Sequence, residues 1–333
     1  MHISASTIDD LLRRVLRELL KSRHYIRPSR GKATESVAAM LRLTNPRARL
    51  SRSETKCKLS SCLGELLWYL AKSKKLKFIA YYLSRYKDDS EDGKTIHGGY
   101  GPRLFAMRGN NQIENVLDHL KRRDSRRAVI QLFDADDLSK KRKEIPCTCT
   151  LQFMVRRRRL HMFTNMRSND AFLGLPHDIF AFTMLQEIFA QTLGVKLGTY
   201  NHAVGSLHLY ETDRKAAKQY LSEGWQSTTR PMPPMPRGDP WPSIRVVVEA
   251  EQLIRSSRKI NIEKMKLPAY WLDLIRVLQV YSSWTKENVA QIERVKTEMS
   301  DRYYNFYIDD VITKLRHRQA KPPKARRRIL NPK

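Results

Sequence analysis

The stretch MRSNDAFLGLPHDI, residues 166–179, stands where one periodicity gives way to another. The run that leads into it, LHMFTNM (160–166), reads as a strand. The run that leaves it, HDIFAFTMLQEIFAQTLG (177–194), has the length and apolar content of a buried helix ending at Gly194. Polar side chains gather at the changeover: Arg167, Ser168, Asp170 and Asp178. Upstream, IPCTCTLQFMV (145–155) pairs with LHMFTNM, and Arg156–Arg159 between them reads as a solvated hairpin tip. Downstream, VKLGTYNHAVGSLHLY (195–210) returns to strand character.

Working outward, residues 7–22 form an amphipathic helix, with Leu11, Leu12, Val15, Leu16, Leu19 and Leu20 at helical spacing between charges. Residues 35–43 read as a strand, 61–73 and 112–123 as helices, and 127–133 as a strand. The pattern predicts an α+β body over residues 1–227. Residues 228–242, TTRPMPPMPRGDPWP, are a proline-rich connector. Residues 243–320 follow as a helical C-terminal region, in which LPAYWLDLIRVLQVYSSW (267–284) is the clearest helix. Tyr270, Trp271, Asp273 and Leu274 there read as packing residues or a partner surface. Residues 321–333 are a basic tail.

Composition narrows the function classes. The 333 residues are 41% hydrophobic, enough for a sizeable core. No run approaches the roughly 18 apolar residues of a membrane span, and the N-terminus carries no apolar signal core, so a cytoplasmic protein without membrane partners is expected. The four cysteines, Cys57, Cys62, Cys147 and Cys149, fit neither a disulfide scaffold nor a zinc site, because no second pair has ligand spacing. No metal is expected. The net charge of +29 implies attraction to phosphate, on a nucleotide or on a nucleic acid.

Six blocks stand in a particular order: GELLWYL with Glu65, GGYGPR with Tyr100, DSRRAV with Arg126 and Arg127, IPCT with Cys147, MRSNDAFLGLPHDI, and GSLHLY with His208 and Tyr210. Over roughly residues 60–212 this order resembles the thymidylate synthase superfamily, and most of all its pyrimidine nucleotide hydroxymethylases. The resemblance implies a mixed β-sheet packed with helices. It also implies a homodimer with shared active sites, a pyrimidine nucleoside monophosphate as substrate and 5,10-methylenetetrahydrofolate as one-carbon donor.

The chemistry asks for these residue types. Carbon 5 of a pyrimidine is a poor nucleophile, and a thiolate added to carbon 6 turns the ring into an enamine. Cys147 is the candidate nucleophile, with Arg167 beside it to lower its pKa. Cys149 reads as an ordinary strand residue. The resemblance makes Arg167 a phosphate ligand and gives Arg126 and Arg127 to the neighbouring subunit's phosphate, a task that suits the planar guanidinium. A further phosphate arginine is expected in HYIRPSRGKAT, either Arg27 or Arg30. Glu65, in an otherwise apolar helix, is implied in proton transfers, and Tyr100 in removal of the carbon 5 proton. His208 and Tyr210 would hold the sugar, and Ser168 and Asp170 would bond near the phosphate and base, although Asp170 also suits a structural role. The tryptophan-bearing segment of the folate pocket has no match in residues 74–99.

Where the family usually carries LPFN, this chain has LPHD. An asparagine amide suits uracil. A carboxyl at Asp178 can accept from the cytosine amino group and pair with a protonated N3. Relatives with aspartate there add water instead of hydride, and Asp178 with His177 could orient that water. Asp178 could also cap the helix that follows. The expected activity is therefore hydroxymethylation of CMP or dCMP. The alternatives are a thymidylate synthase acting on dUMP and a catalytically silent module binding nucleic acid or a partner protein.

Overall fold

The computed structural model describes residues 1–56, 58–122, 124–223 and 231–320. Seven strands form one sheet: β1 (His2–Ala5), β2 (Tyr25–Ile26), β3 (Ala33–Leu43), β4 (Val129–Gln131), β5 (Thr148–Arg156), β6 (Arg159–Asp170) and β7 (Lys196–Tyr210). The helices are α1 (Ile8–Lys21), α2 (Leu59–Leu70), α3 (Leu76–Tyr82), α4 (Tyr86–Asp89), α5 (Tyr100–Ala106), α6 (Gln112–Leu120), α7 (Gly174–Thr192), α8 (Arg214–Ser222), α9 (Trp241–Arg255), α10 (Ala269–Thr285), α11 (Val289–Thr297) and α12 (Asn305–Gln319). The strand order is β1-β3-β7-β6-β5-β4, with β2 on β3. Pairing is parallel for β1–β3 and β6–β7 and antiparallel for the rest, as an α+β body with a mixed sheet requires.

The two parallel pairs follow from their connections. Parallel neighbours need a crossover, and α1 and α7 provide it. Thr7 opens α1 by accepting from Asp10 N at 3.1 Å, and Asp9 and Asp10 suit the positive end of the helix dipole. The buried stripe of α1, from Leu11 to Leu19, packs on β1, β3 and β7. Helix α7 packs against both the sheet and α2, which is why it is apolar on nearly all sides.

Register sorts side chains into two faces. Phe153, Met162, Tyr200 and Leu43 lie in line across β5, β6, β7 and β3, and all four are buried beneath the helices. One residue along, Gln152, Phe163, Asn201 and Arg42 line up on the opposite face, where each is half-buried or exposed. The Arg156–Arg159 turn has Arg157 and Arg158 at φ 48° and 56°, at the expected hairpin tip.

The chain divides into two compact units, Met1–Ile244 and Arg245–Lys333. Residues 231–240 of the proline-rich run belong to the first. Met232 N donates to Arg47 O and Met235 N to Glu187 Oε1, both at 3.0 Å, and both methionines are buried. Residues 231–240 are therefore fastened to the first unit at both methionines. In the second unit Asp273 of α10 is buried and accepts from Ser300 N and Asp301 N at 2.9 Å each. Tyr270, Trp271 and Leu274 are buried beside it. Residues 321–333, read as a tail, lie outside the described residues, as do residues 228–230. No described helix is long and apolar enough to cross a membrane.

The first unit encloses a buried ion pair between Arg49 Nη2 and Glu187 of α7, with both side chains essentially inaccessible. Glu187 also accepts from Met235 N, so one carboxylate joins the 45–50 segment, α7 and the methionine strap. Removing one partner strands a buried charge. Glu187→Ala should cost about 3–5 kcal/mol in urea unfolding, while an Arg49→Met/Glu187→Leu double variant should recover most of that loss. A single-variant cost below about 1 kcal/mol would contradict this account.

Candidate active site

A cavity of about 610 Å³ opens where β6 and β7 end beside the start of α7 and the middle of α2. Its wall brings together Cys147, Glu65, Tyr100, Asp178, Arg167, Ser168, Asp170, His208, Tyr210 and Arg30 from six separate sequence blocks. Arg27 does not line it. Arg30 does, and is paired with Asp89, so the fold separates two arginines that the sequence left equivalent. Arg126 and Arg127 are exposed and stand outside this cavity in their own chain. Arg127 instead lines a separate depression with Arg108 and Gln112.

Cys147 sits just before β5, at the point where Arg167 of β6 folds over it. Arg167 donates through Nε to Pro146 O at 2.9 Å and through Nη2 to Ile145 O at 3.0 Å, and Nη2 is 3.6 Å from Cys147 Sγ. The guanidinium therefore clamps the loop that carries the thiol. Burial nonetheless pushes the thiol up to about 11, while Arg167 pulls it down and Asp178 and Glu144 push it further up. The expected lowering by Arg167 is present but outweighed, because desolvation penalises the thiolate more than one cation rewards it.

Glu65 is 3% exposed. Its Oε1 accepts from Tyr86 OH at 2.6 Å, and its Oε2 is buried with no hydrogen-bond partner. Tyr86 begins the short helix α4 and meets the Trp68 ring edge-on, with centroids 5.5 Å apart. Tyr100 OH donates to Thr148 Oγ1 at 2.9 Å and accepts from Thr148 N at 3.1 Å, which holds the phenol beside the nucleophile's neighbour.

Asp170 Oδ1 accepts from Phe172 N at 2.8 Å and Leu173 N at 3.0 Å, so one of its oxygens is committed to the β6-to-α7 turn. Asp178 lies on the first turns of α7. Burial, with Glu65 adding to it, raises its carboxyl well above the usual carboxylate range. His177 beside it cannot serve water as expected. Its Nδ1 meets Leu173 O and its Nε2 meets Ser61 Oγ, both at 3.0 Å, and burial lowers its pKa to about 4. The ring is a neutral structural bridge. His208 and Tyr210 both reach the cavity from β7, their rings edge-on with centroids 4.8 Å apart.

Several cavity residues escape a sequence reading: Tyr86, Arg85, Trp68 and Asn169. Arg85 lies 5.8 Å from the Tyr86 ring centroid. Burial works against its charge, but Tyr86, Glu65, Asp170 and Asp178 more than offset that and raise its pKa. Asn169 donates from Nδ2 to Asp178 Oδ2 at 3.1 Å. Only the position of Asn169, beside Arg167, Ser168 and Asp170, could have flagged it. No group of three or more His, Cys, Asp or Glu side chains suited to a metal occurs among the described residues.

The family model described as thymidylate synthase matches residues 9–269. The chain belongs to the thymidylate synthase family. It is similar to a deoxyuridylate hydroxymethyltransferase of Pseudomonas phage M6, 34% identical over 45% of this chain and 44% of that protein. It is similar to a second deoxyuridylate hydroxymethyltransferase, of Delftia phage PhiW-14, 30% identical over 51% of each. A thymidylate synthase of Buchnera aphidicola is 31% identical over 50% of this chain and 65% of its own length. The chain thus spans about half the length of the two phage relatives it matches. In fold it is similar to the crystal structure of thymidylate synthase from T4 phage, with a TM-score of 0.56 at 21% identity over 65% of this chain and 81% of that one.

A raised thiol has a direct readout in this thymidylate synthase family member. Iodoacetamide alkylation of Cys147 should accelerate about tenfold per pH unit between about pH 7 and 10, following the thiolate fraction. A Cys147→Ser control subtracts the contribution of Cys57, Cys62 and Cys149. A rate that levels off below about pH 9 would show that Arg167 prevails over burial.

Proposed function

We propose that this protein transfers a one-carbon unit to carbon 5 of a cytidine nucleotide, CMP or dCMP, and completes the reaction with water to give the 5-hydroxymethyl product. The observation that carries this reading is the Asp178 carboxyl in the same cavity as Cys147 and Arg167. Bound 5,10-methylenetetrahydrofolate would supply the one-carbon electrophile. The cavity wall suits such a ring system: Trp68, Tyr69 and Tyr86 offer aromatic surface, and Trp68 Nε1 and Glu65 Oε2 are buried without partners.

Arg30 and Arg167 bind the phosphate, and His208 and Tyr210 hold the sugar. Asp178, kept protonated by burial, donates to N3 of cytosine and accepts from the 4-amino group. Drawing electrons toward N3 makes carbon 6 more electrophilic. Cys147 Sγ gives its proton to water in the cavity and adds to carbon 6 as the thiolate, while Arg167 stabilises the negative charge as it forms. Carbon 5 becomes nucleophilic and later loses its proton with help from Tyr100. Once an exocyclic methylene stands on carbon 5, water adds to it and gives its proton to Glu65 Oε2. The electron pair returns through the ring, re-forms the double bond between carbons 5 and 6, and expels Sγ.

Arg126 and Arg127 serve a neighbouring subunit's phosphate in a homodimer. Their exposure and their distance from their own cavity support this, as does the uncovered sheet face around Phe163, Asn201 and Ala203. The +29 charge supports nucleic acid as a further partner. The names of the two phage relatives favour a second reading, in which the base is uracil.

Incubation with methylenetetrahydrofolate and each of CMP, dCMP and dUMP tests the proposal. The expected product is 5-hydroxymethylcytidine monophosphate or its deoxy form, absent with Cys147→Ser. Asp178→Asn should shift kcat/KM toward dUMP by about 10²-fold or more. Product from dUMP alone would establish the second reading, and no turnover with salt-sensitive polynucleotide binding would replace catalysis by a binding role.

A further inference from the structure

Behind the base-facing carboxyl lies a chain of buried polar groups that the mechanism above does not use. Tyr200 and His202 alternate along β7 on its helix-covered face, and Tyr200 OH is 2.6 Å from His202 Nδ1. His202 Nε2 is 3.0 Å from Asn169 Nδ2, which in turn donates to Asp178 Oδ2 at 3.1 Å. Tyr200, His202 and Asn169 are 1%, 0% and 3% exposed, so bulk water does not compete for these bonds.

The direction of the chain can be worked out. Met166 Sδ, His202 Nε2 and Asp178 Oδ2 all converge on the Asn169 amide nitrogen. The Met166 thioether carries no hydrogen and can only accept, so the N–H end of the amide belongs beside it, and its two hydrogens serve Asp178 Oδ2 and His202 Nε2. Burial lowers His202 to about 3, so its ring is neutral, with one N–H and one lone pair. With Nε2 accepting from Asn169, the proton sits on Nδ1 and goes to the Tyr200 oxygen.

We infer that Tyr200, His202 and Asn169 form a relay whose fixed direction decides which oxygen of Asp178 carries its proton, and thereby sets the choice between cytosine and uracil. The inference rests on Asp178 facing the base, as proposed above. An unrestrained neutral carboxyl suits both bases. Toward cytosine it donates to N3 and accepts from the amino group. Toward uracil it accepts from N3–H and donates to O4, after its proton changes oxygen. The Asn169 N–H on Oδ2 closes that exchange: Oδ2 stays an acceptor and Oδ1 holds the proton. These three are positioning residues, acting on the base through Asp178.

The test is the ratio of kcat/KM for dCMP over dUMP, with calorimetric binding of each nucleotide as a second readout. The wild type should favour dCMP. His202→Leu and Asn169→Ala should lower the ratio about tenfold or more, chiefly by improving dUMP. His202→Gln, whose amide oxygen restores an acceptor, should keep most of the ratio. Tyr200→Phe removes only a hydroxyl, so it should fold and still lower the ratio. Equal losses for both nucleotides across the set, with the ratio unmoved, would overturn the relay. That outcome would leave the cytidine reading standing if the wild type still favours dCMP, whereas a wild type that favours dUMP would overturn the reading and the relay's direction together.

Discussion

The carboxylate of Asp170 captures the amide protons of Phe172 and Leu173 and turns a central strand into a buried helix. Both sides of the cavity depend on that turn. Before it, Arg167 reaches the thiol loop and Ser168 lies beside Ser206 of β7. After it, His177 and Asp178 come round on the first turns of α7. Because α7 is packed between sheet and α2, the carboxyl of Asp178 is carried inward with it. A loop without these two backbone bonds would leave Arg167 and Asp178 on independent elements.

Inward placement has an electrostatic consequence. Burial opposes charge on three groups of the cavity: the Cys147 thiol and the Asp178 carboxyl are pushed up, and His177 is pushed down. These three are therefore neutral, while Arg30 and Arg167 bring positive charge to the same wall. Such a site spends little on holding separated charges, and its protons are available to move. Arg167 is better described as the clamp on the thiol loop than as the cause of a reactive resting thiol.

The strand and helix pattern from β5 to β7 was readable because its periods are clear: alternation on either side of an arginine-rich tip, then eighteen residues with helical character. The short strands β1 and β2 and the helices α3 and α4 were not, because two to seven residues carry too little periodicity to read. The proline-rich run read as a connector on composition, yet buried Met232 and Met235 fasten residues 231–240 to the first unit. In the cavity, Cys147, Glu65, Tyr100, Arg167 and Asp178 were legible as residue types inside ordered blocks. Tyr86 was not, since it matters through Glu65, far away in the chain, and neither was His202 behind the cavity wall, which meets Asn169 of another strand.

The sequence by itself determined the α+β class, the family and the set of side chains available for chemistry, because residue type and spacing are local properties. The tertiary structure alone decided that Arg30 rather than Arg27 reaches the cavity and that both ring nitrogens of His177 are taken. It also decided that the thiol and the carboxyl hold their protons. Protonation follows from how much water the whole packed body excludes and which dipoles remain within reach, and no stretch of sequence contains that sum.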